Sequence, residues 1–307
     1  MTTENITQLI KDCQSGDPQK QVAAIRALAH LEAFEAKATI IHLLSSDPNK
    51  KVRSAAIYAL NELEAVEAIP LLIHHLLSDP DSAVRTSAAF ILKFLGEDQL
   101  QAYPIAPALL NALNDDHKSV RCKAIEALGS FHYLPATSRM RELLHSDEAW
   151  FVRASAAEAL GRMHDVASLA DLEQAMNDPD PRVQRCVIIA LSQFLDAPSV
   201  APLVAQQLTR WRLDPIVKAE LFALSYRLGQ LPHIQDLLTM LDQAQDSEVA
   251  TEILMVLVDL TAENAPADLK NHQAQIQALL QRFLLRHPYL QSDVKRVQDN
   301  IIEITGE

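Results

Sequence analysis

Eleven histidines, three cysteines and a regular series of Asp and Arg residues are the groups in this 307-residue chain that could carry chemistry. Clustered histidines would offer metal binding, and paired cysteines thiolate or metal chemistry. Neither spacing is present. Cys13, Cys122 and Cys186 are far apart, odd in number and form no metal-type pair. His42 and His74 hold the same slot of successive amphipathic segments, but adjacent helices stand about 8–10 Å apart and no further ligands accompany the two. His74 and His75 point to different sides of a helix and make no chelate. No glycine cluster resembles a phosphate-binding loop or dinucleotide turn, and no Gly-x-Ser-x-Gly elbow occurs. Catalytic, cofactor-binding and metal-ligating residues are therefore expected to be absent, and enzymatic activity with them.

The elements that would position any functional side chain are helices. Hydrophobic residues make up 49% of the chain and aromatics only 5%. Ala and Leu are abundant, both strong helix formers. Val52-Arg53-Ser54-Ala55-Ala56-Ile57-Tyr58-Ala59-Leu60 recurs at Val84-Arg85, Val120-Arg121 and Val152-Arg153, with weaker copies from Val183, Val217 and Val249 and a first copy from Lys20. The steps between starts are 32, 32, 36, 32, 31, 34 and 32 residues. Within each copy the apolar slots fall at 0, +4, +7 and +8, one stripe of a helix, as in Val52, Ala56, Ala59 and Leu60. Small Ala at +4 and +7 invites close approach by a neighbouring helix.

Asp17-Pro18, Asp180-Pro181 and Asp214-Pro215 place an N-cap oxygen before a proline at the first helical position. Gly129 and Gly161, directly after the stripe, fit helix C-caps. A second amphipathic segment, such as Ala68 to Leu77, lies between successive copies. Each repeat is thus a helical hairpin too small to bury its own face, and stacking buries a continuous core. The expected fold is an all-α, right-handed α-solenoid of about eight hairpins over residues 1–260. Residues 261–307 form a C-terminal helical cap on the last repeat, within one continuous domain. A loop is read from Thr261 to Pro266, then helices around Ile276–Arg286 and Ser292–Ile304.

The order Asp, then Val-Arg, then Ala-Ala, then Ala-Leu resembles HEAT repeats of the short variety first described in phycobilin lyases. The resemblance covers about residues 17 to 260. It implies a structural ladder in which Asp and Arg connect hairpins, and the matching pairs are Asp47 with Arg53, Asp79 with Arg85, Asp115 with Arg121 and Asp147 with Arg153. Gln184 and Ala250 fill the Arg slot of later repeats, so the ladder fails toward the C-terminus. The resemblance also implies three functions. The first is a non-enzymatic scaffold or adaptor binding a partner protein on its concave face. The second is an accessory lyase or chaperone acting on a chromophore-bearing protein, which no particular residue supports. The third is a metal-dependent oxidoreductase like the di-iron deoxyhypusine hydroxylases, which carry repeated His-Glu dipeptides; no His here is followed by Glu. A base-excision glycosylase of this repeat type would need a basic groove, which the acidic balance opposes.

The slots opposite the buried stripe should face a partner. At +6 they read Arg26, Tyr58, Phe90, Glu126, Glu158, Ile189, Ala223 and Met255. Tyr58 and Phe90, with Phe94 at +10, form a candidate aromatic patch, since exposed aromatics are favoured binding anchors. Glu126 and Glu158, the latter four residues before Arg162, form a candidate site for a Lys/Arg-bearing segment. Trp150 and Trp211 lie in turns as rim candidates, while Phe151 is read as a core cap. Met255 to Val258 is apolar where earlier repeats are polar; the C-terminal segment is the expected cover, a partner or second subunit the alternative. A net charge of −13 disfavours nucleic acid and suits a partner with a basic surface. No signal-like start or uncharged run of membrane-spanning length is seen. With the scattered cysteines this points to a reduced, cytoplasmic setting.

Overall fold

Helix starts follow the capping residues. In the computed structural model, which describes residues 3–210, 212–262 and 265–305, the side chains of Asp17, Asn49, Asp81, Asp180, Asp214 and Asp246 each accept the amide hydrogen two residues ahead at 2.9 Å. Each satisfies one of the orphan donors of a first helical turn. The stripe behind each cap is buried; Val52, Ala56, Ala59 and Leu60 are 0–2% exposed.

All elements among the described residues are helical, and they pair as hairpins of a first (A) and a second (B) helix. The chain divides into two compact units, residues 1–168 and 169–307. The first holds α1 (Thr3–Cys13) with α2 (Pro18–His30), α3 (Lys37–Ser46) with α4 (Lys50–Glu62), α5 (Ile69–Ser78) with α6 (Ser82–Leu95), α7 (Ile105–Ala112) with α8 (Lys118–Ser130), and α9 (Thr137–Ser146) with α10 (Trp150–Arg162). The B helices α2, α4, α6, α8 and α10 pack side by side in that order. The second unit holds α11 (Leu169–Ala175) with α12 (Pro181–Leu191), α13 (Val200–Leu208) with α14 (Pro215–Arg227), α15 (His233–Gln243) with α16 (Ser247–Thr261), and α17 (Gln273–Arg286) with α18 (Gln291–Thr305). Both units are built as an α-solenoid: each hairpin buries its stripe against the next.

The C-terminal helices repeat the pattern. α17 packs on α15 and α18 on α16, A helix on A helix and B helix on B helix. Val256, Leu257 and Val258 are buried in one cluster with Val294, Val297 and Ile301. The Asn300 amide, 3.4 Å from Val258 O and 3.2 Å from Thr261 Oγ1, closes the top of α16. The apolar end of α16 is thus covered by its own chain.

Gly129 and Gly161 differ from the sequence expectation. Both lie inside their helices and are buried; the C-caps are Phe131 and Met163. The left-handed position that ends a helix falls on Glu32, Glu64, His132 and His164, with φ of 48–52°. The amides of Ala33, Ala65 and Tyr133 close the turn onto the carbonyls of Leu28, Leu60 and Leu128 at 2.9–3.1 Å, a Schellman arrangement. Gly129 instead permits close packing: a β-carbon there would stand 2.8 Å from Cβ of Ala159, on the neighbouring B helix. No helix among the described residues is long and apolar enough to cross a membrane.

Candidate functional site

The Asp/Arg ladder exists in unit 1, but its ion pairs run one repeat further than the sequence register. Arg53 Nε and Nη2 each stand 2.8 Å from an oxygen of Asp79, 26 residues ahead. Arg85 forks Asp115 at 2.7 and 2.8 Å, and Arg121 forks Asp147 at 2.7 and 2.9 Å. Within a repeat the Arg meets backbone at its own Asp: Nη1 of Arg53, Arg85, Arg121 and Arg153 donates to the carbonyls of Asp47, Asp79, Asp115 and Asp147 at 2.9–3.0 Å. The reason is direction. Six residues span only the interhelical turn, whereas the Arg side chain leaves its helix toward the next hairpin. Gln21 fills the Arg slot of the first repeat and donates to Asp47 Oδ2 at 3.0 Å.

Each ladder Asp also accepts the amide two residues on, through Oδ1 at 2.8–2.9 Å, which shapes the turn that launches the B helix. Burial alone would raise the Asp79 and Asp115 carboxyls. The Arg forks and these amides outweigh it and hold both below the ordinary carboxylate range. At Asp79 a further group contributes: His75 Nδ1 lies 2.8 Å from Oδ2, with the ring buried. The sequence reading took His75 only as a non-chelating neighbour of His74, although its slot holds Leu43 in the preceding repeat. His74 beside it is exposed.

With the ladder holding the B helices in register, their outward slots form one surface. Tyr58 (45% exposed), half-buried Phe90 and Phe94 (51% exposed) line up on α4 and α6. Ring centroids are 6.3 Å apart for Tyr58 and Phe90, and 5.0 Å for Phe90 and Phe94, edge to face. From α8, Lys123 Nζ stands 5.6 Å from the Phe90 ring centre and 2.8 Å from both oxygens of Glu126. Four of the expected contact residues are thereby brought into one patch: Tyr58, Phe90, Phe94 and Glu126. Glu158 and Arg162 lie one helix further, on α10, both exposed. The Arg162 guanidinium lies back over Gly129, 3.7 Å from where a β-carbon would be. Trp150 and Phe151 meet edge to face at 5.8 Å, both half-buried, and Trp211 lies outside the described residues.

In unit 2 the equivalent face is covered at α14, while Ile189 on α12 stays 40% exposed. Phe222, Ala223 and Tyr226 on α14 are buried, and the Tyr226 hydroxyl donates to Asp268 at 2.7 Å from the short 3-10 segment Ala267–His272. The ion pairing has moved onto the B row itself: Arg185 of α12 reaches Glu220 of α14 at 3.0 Å and Glu252 of α16 at 2.5 Å. Burial drives the Glu220 carboxyl above its ordinary value, with Arg185 opposing. Arg185 was not singled out by sequence, because nothing in its own repeat marks it. The Cys13 and Cys122 thiols are each pushed up to about 11, chiefly by burial, and stay protonated at neutral pH. No group of three or more His, Cys, Asp or Glu among the described residues is placed to hold a metal.

Helical hairpins joined by a turn-edge ladder, with exposed side chains on the second helices, define a repeat protein of the α-solenoid class. The chain belongs to the HEAT repeat family: the model of HEAT repeats matches residues 5–93, 106–192 and 141–225. No curated protein matches the chain at a significant level. Among solved structures it is similar to Escherichia coli YibA, with 19% identity over 83% of this chain and 92% of that one and a TM-score of 0.58. It is also similar to an engineered protein, with 19% identity over 96% and 88% and a TM-score of 0.51. A third likeness is to Kap95 in its complex with Nup1, with 18% identity over 99% of this chain and 47% of Kap95 and a TM-score of 0.60. These likenesses show the fold.

Proposed function

We propose that the chain is a non-enzymatic scaffold that holds a partner protein on its concave face, against the exposed side of α4, α6 and α8. The observation that carries this is the Tyr58–Phe90–Phe94 cluster. Two of its three rings are about half exposed, whereas on α14 of the second unit the same face is closed by the chain's own segment. Aromatic side chains set on rigid helices are effective anchors, since they bury much area and lose little conformational freedom. Solenoids present such faces as extended binding surfaces, and Kap95 was solved together with Nup1. A partner with a basic surface has one carboxylate fewer to meet than the sequence suggested, because Lys123 already neutralises Glu126.

The test compares retention of a co-purifying protein by the wild-type chain, by Tyr58→Ala/Phe94→Ala, and by Leu285→Ala, which removes an exposed side chain on α17. Stoichiometric retention by wild type and Leu285→Ala, lost in the double variant at unchanged melting temperature, supports the proposal. Equal retention by all three overturns it.

A further inference from the structure

We infer that the groove between α2 and α4 is the seat of an acidic segment of the partner protein; this rests on the docking reading above. The groove has a volume of about 1160 Å³ and adjoins the aromatic cluster through Tyr58, which lines it. It exceeds the roughly 300–1,000 Å³ of small-molecule sites. Its floor is made of short side chains, Ala23, Ser54 and Ala55 among them, so the two helices are close while the space above them stays open. The 13 residues of α4 give it a length of about 20 Å, room for about six extended residues.

Its charge is opposite to that of the whole chain. Arg26 on α2 and Lys51 on α4 line the groove, are exposed, and make no ion pair or side-chain hydrogen bond among the described residues. The other lining cation, Lys50, is engaged by Asp81 at 2.8 Å, and the lining Asp17 is engaged as the cap of α2. Two unpaired cations facing one cleft, in a chain of net charge −13, mark where a carboxylate-bearing segment gains and a basic one loses. Glu62, one helical turn beyond Tyr58, is exposed and stands at the far end beside His30. It repels a second acidic group there and so gives the segment a direction: carboxylates at Lys51 and Arg26, an uncharged or apolar residue against Tyr58. A nucleic acid strand, also anionic, would bring its phosphates past this two-cation patch onto an acidic surface, which disfavours it.

Selection of a displayed random-peptide library on the immobilised full chain tests the inference, with chosen peptides then titrated against variants. The expected result is sequences enriched in Asp and Glu, whose affinity falls about tenfold or more in Arg26→Glu and in Lys51→Glu. It also falls severalfold on raising salt from about 0.05 to about 0.3 M. Lys295→Glu, an exposed change on α18, leaves it unaltered. Neutral or basic selected sequences overturn the acidic occupant. So does binding that Tyr58→Ala weakens and the charge reversals do not, an outcome that leaves the scaffold reading standing. A single-stranded oligonucleotide bound with the same sensitivity to Arg26→Glu overturns the assignment to protein. If no peptide binds at all, the acidic-segment assignment falls, and the co-purification test alone decides the scaffold reading.

Discussion

Arg53 and Asp79 lie 26 residues apart in sequence, yet two parallel contacts of 2.8 Å join them, and the Asp79 side chain is only 1% exposed. Removing the cation leaves a sealed carboxylate with only His75 and the Asp81 amide beside it. Arg53→Ala should therefore lose about 3–5 kcal/mol of stability in unit 1. Arg53→Lys should lose part of that, because an ammonium cannot reproduce the fork. Replacing both partners by apolar residues should be milder than Arg53→Ala. Denaturant unfolding of the four proteins checks the order.

The two units should respond to pH with opposite signs. Asp79 and Asp115 have lowered values, so their stabilisation is complete above the unfolded value near 4 and is lost as pH falls below it. Glu220 has a raised value, so its effect is an erosion of stability in unit 2 as pH rises from about 4.3 through its folded titration. Cys13 and Cys122 add a fall in unit 1 between about 8.5 and about 11, the range over which an unfolded thiol is ionised and the folded one is not. Hydrogen exchange resolved by segment, corrected for intrinsic rates, should show these slopes. Glu220→Gln should flatten the one in α12 to α16, and Cys13→Ala with Cys122→Ala the alkaline one.

Glu64 and His132 occupy left-handed backbone at φ 48° and 50° with no glycine to relieve it. Glu64→Gly and His132→Gly should each raise stability by about 0.5–1 kcal/mol, the steric relief outweighing the added freedom of the unfolded chain. Gly229 already occupies this position at φ 87°, and Gly229→Ala should destabilise. Thermal melts of the three variants decide the matter.

Ending the chain after His272 removes Val294, Val297 and Ile301 from the cluster around Val256 to Val258. The truncated protein should bind a hydrophobic dye and associate at micromolar concentration. Fluorescence with dye and light scattering give the readout; a silent, monomeric truncation contradicts the prediction.

The aromatic patch could be read in the sequence because Tyr58 and Phe90 share one slot of a repeat, and a repeat converts equal slots into neighbours. The ladder was legible by residue type and misread by one repeat, since spacing along the chain does not say which way an Arg side chain leaves its helix. Gly129 was visible as a special position, but whether it ends a helix or admits Ala159 depends on the distance between two helices. The groove was hidden for a similar reason. Arg26 and Lys51 stand in unrelated slots, and only the packing of α2 on α4 brings them to one cleft.

The 36-residue step into the fourth repeat is four longer than its neighbours, and most of the excess lies between α6 and α7, where Glu97, Asp98, Gln101, Ala102 and Pro104 are exposed. Across it, Arg85 still grips Asp115 at 2.7 and 2.8 Å, although 30 residues rather than 26 separate them. The stack therefore tolerates length variation at this turn without transmitting it to its neighbours. An epitope or fluorescent module spliced between Gln101 and Ala102 should leave the melting temperature within a few degrees of the parent. This makes the turn a point at which cargo could be attached while the exposed side of the second helices stays open.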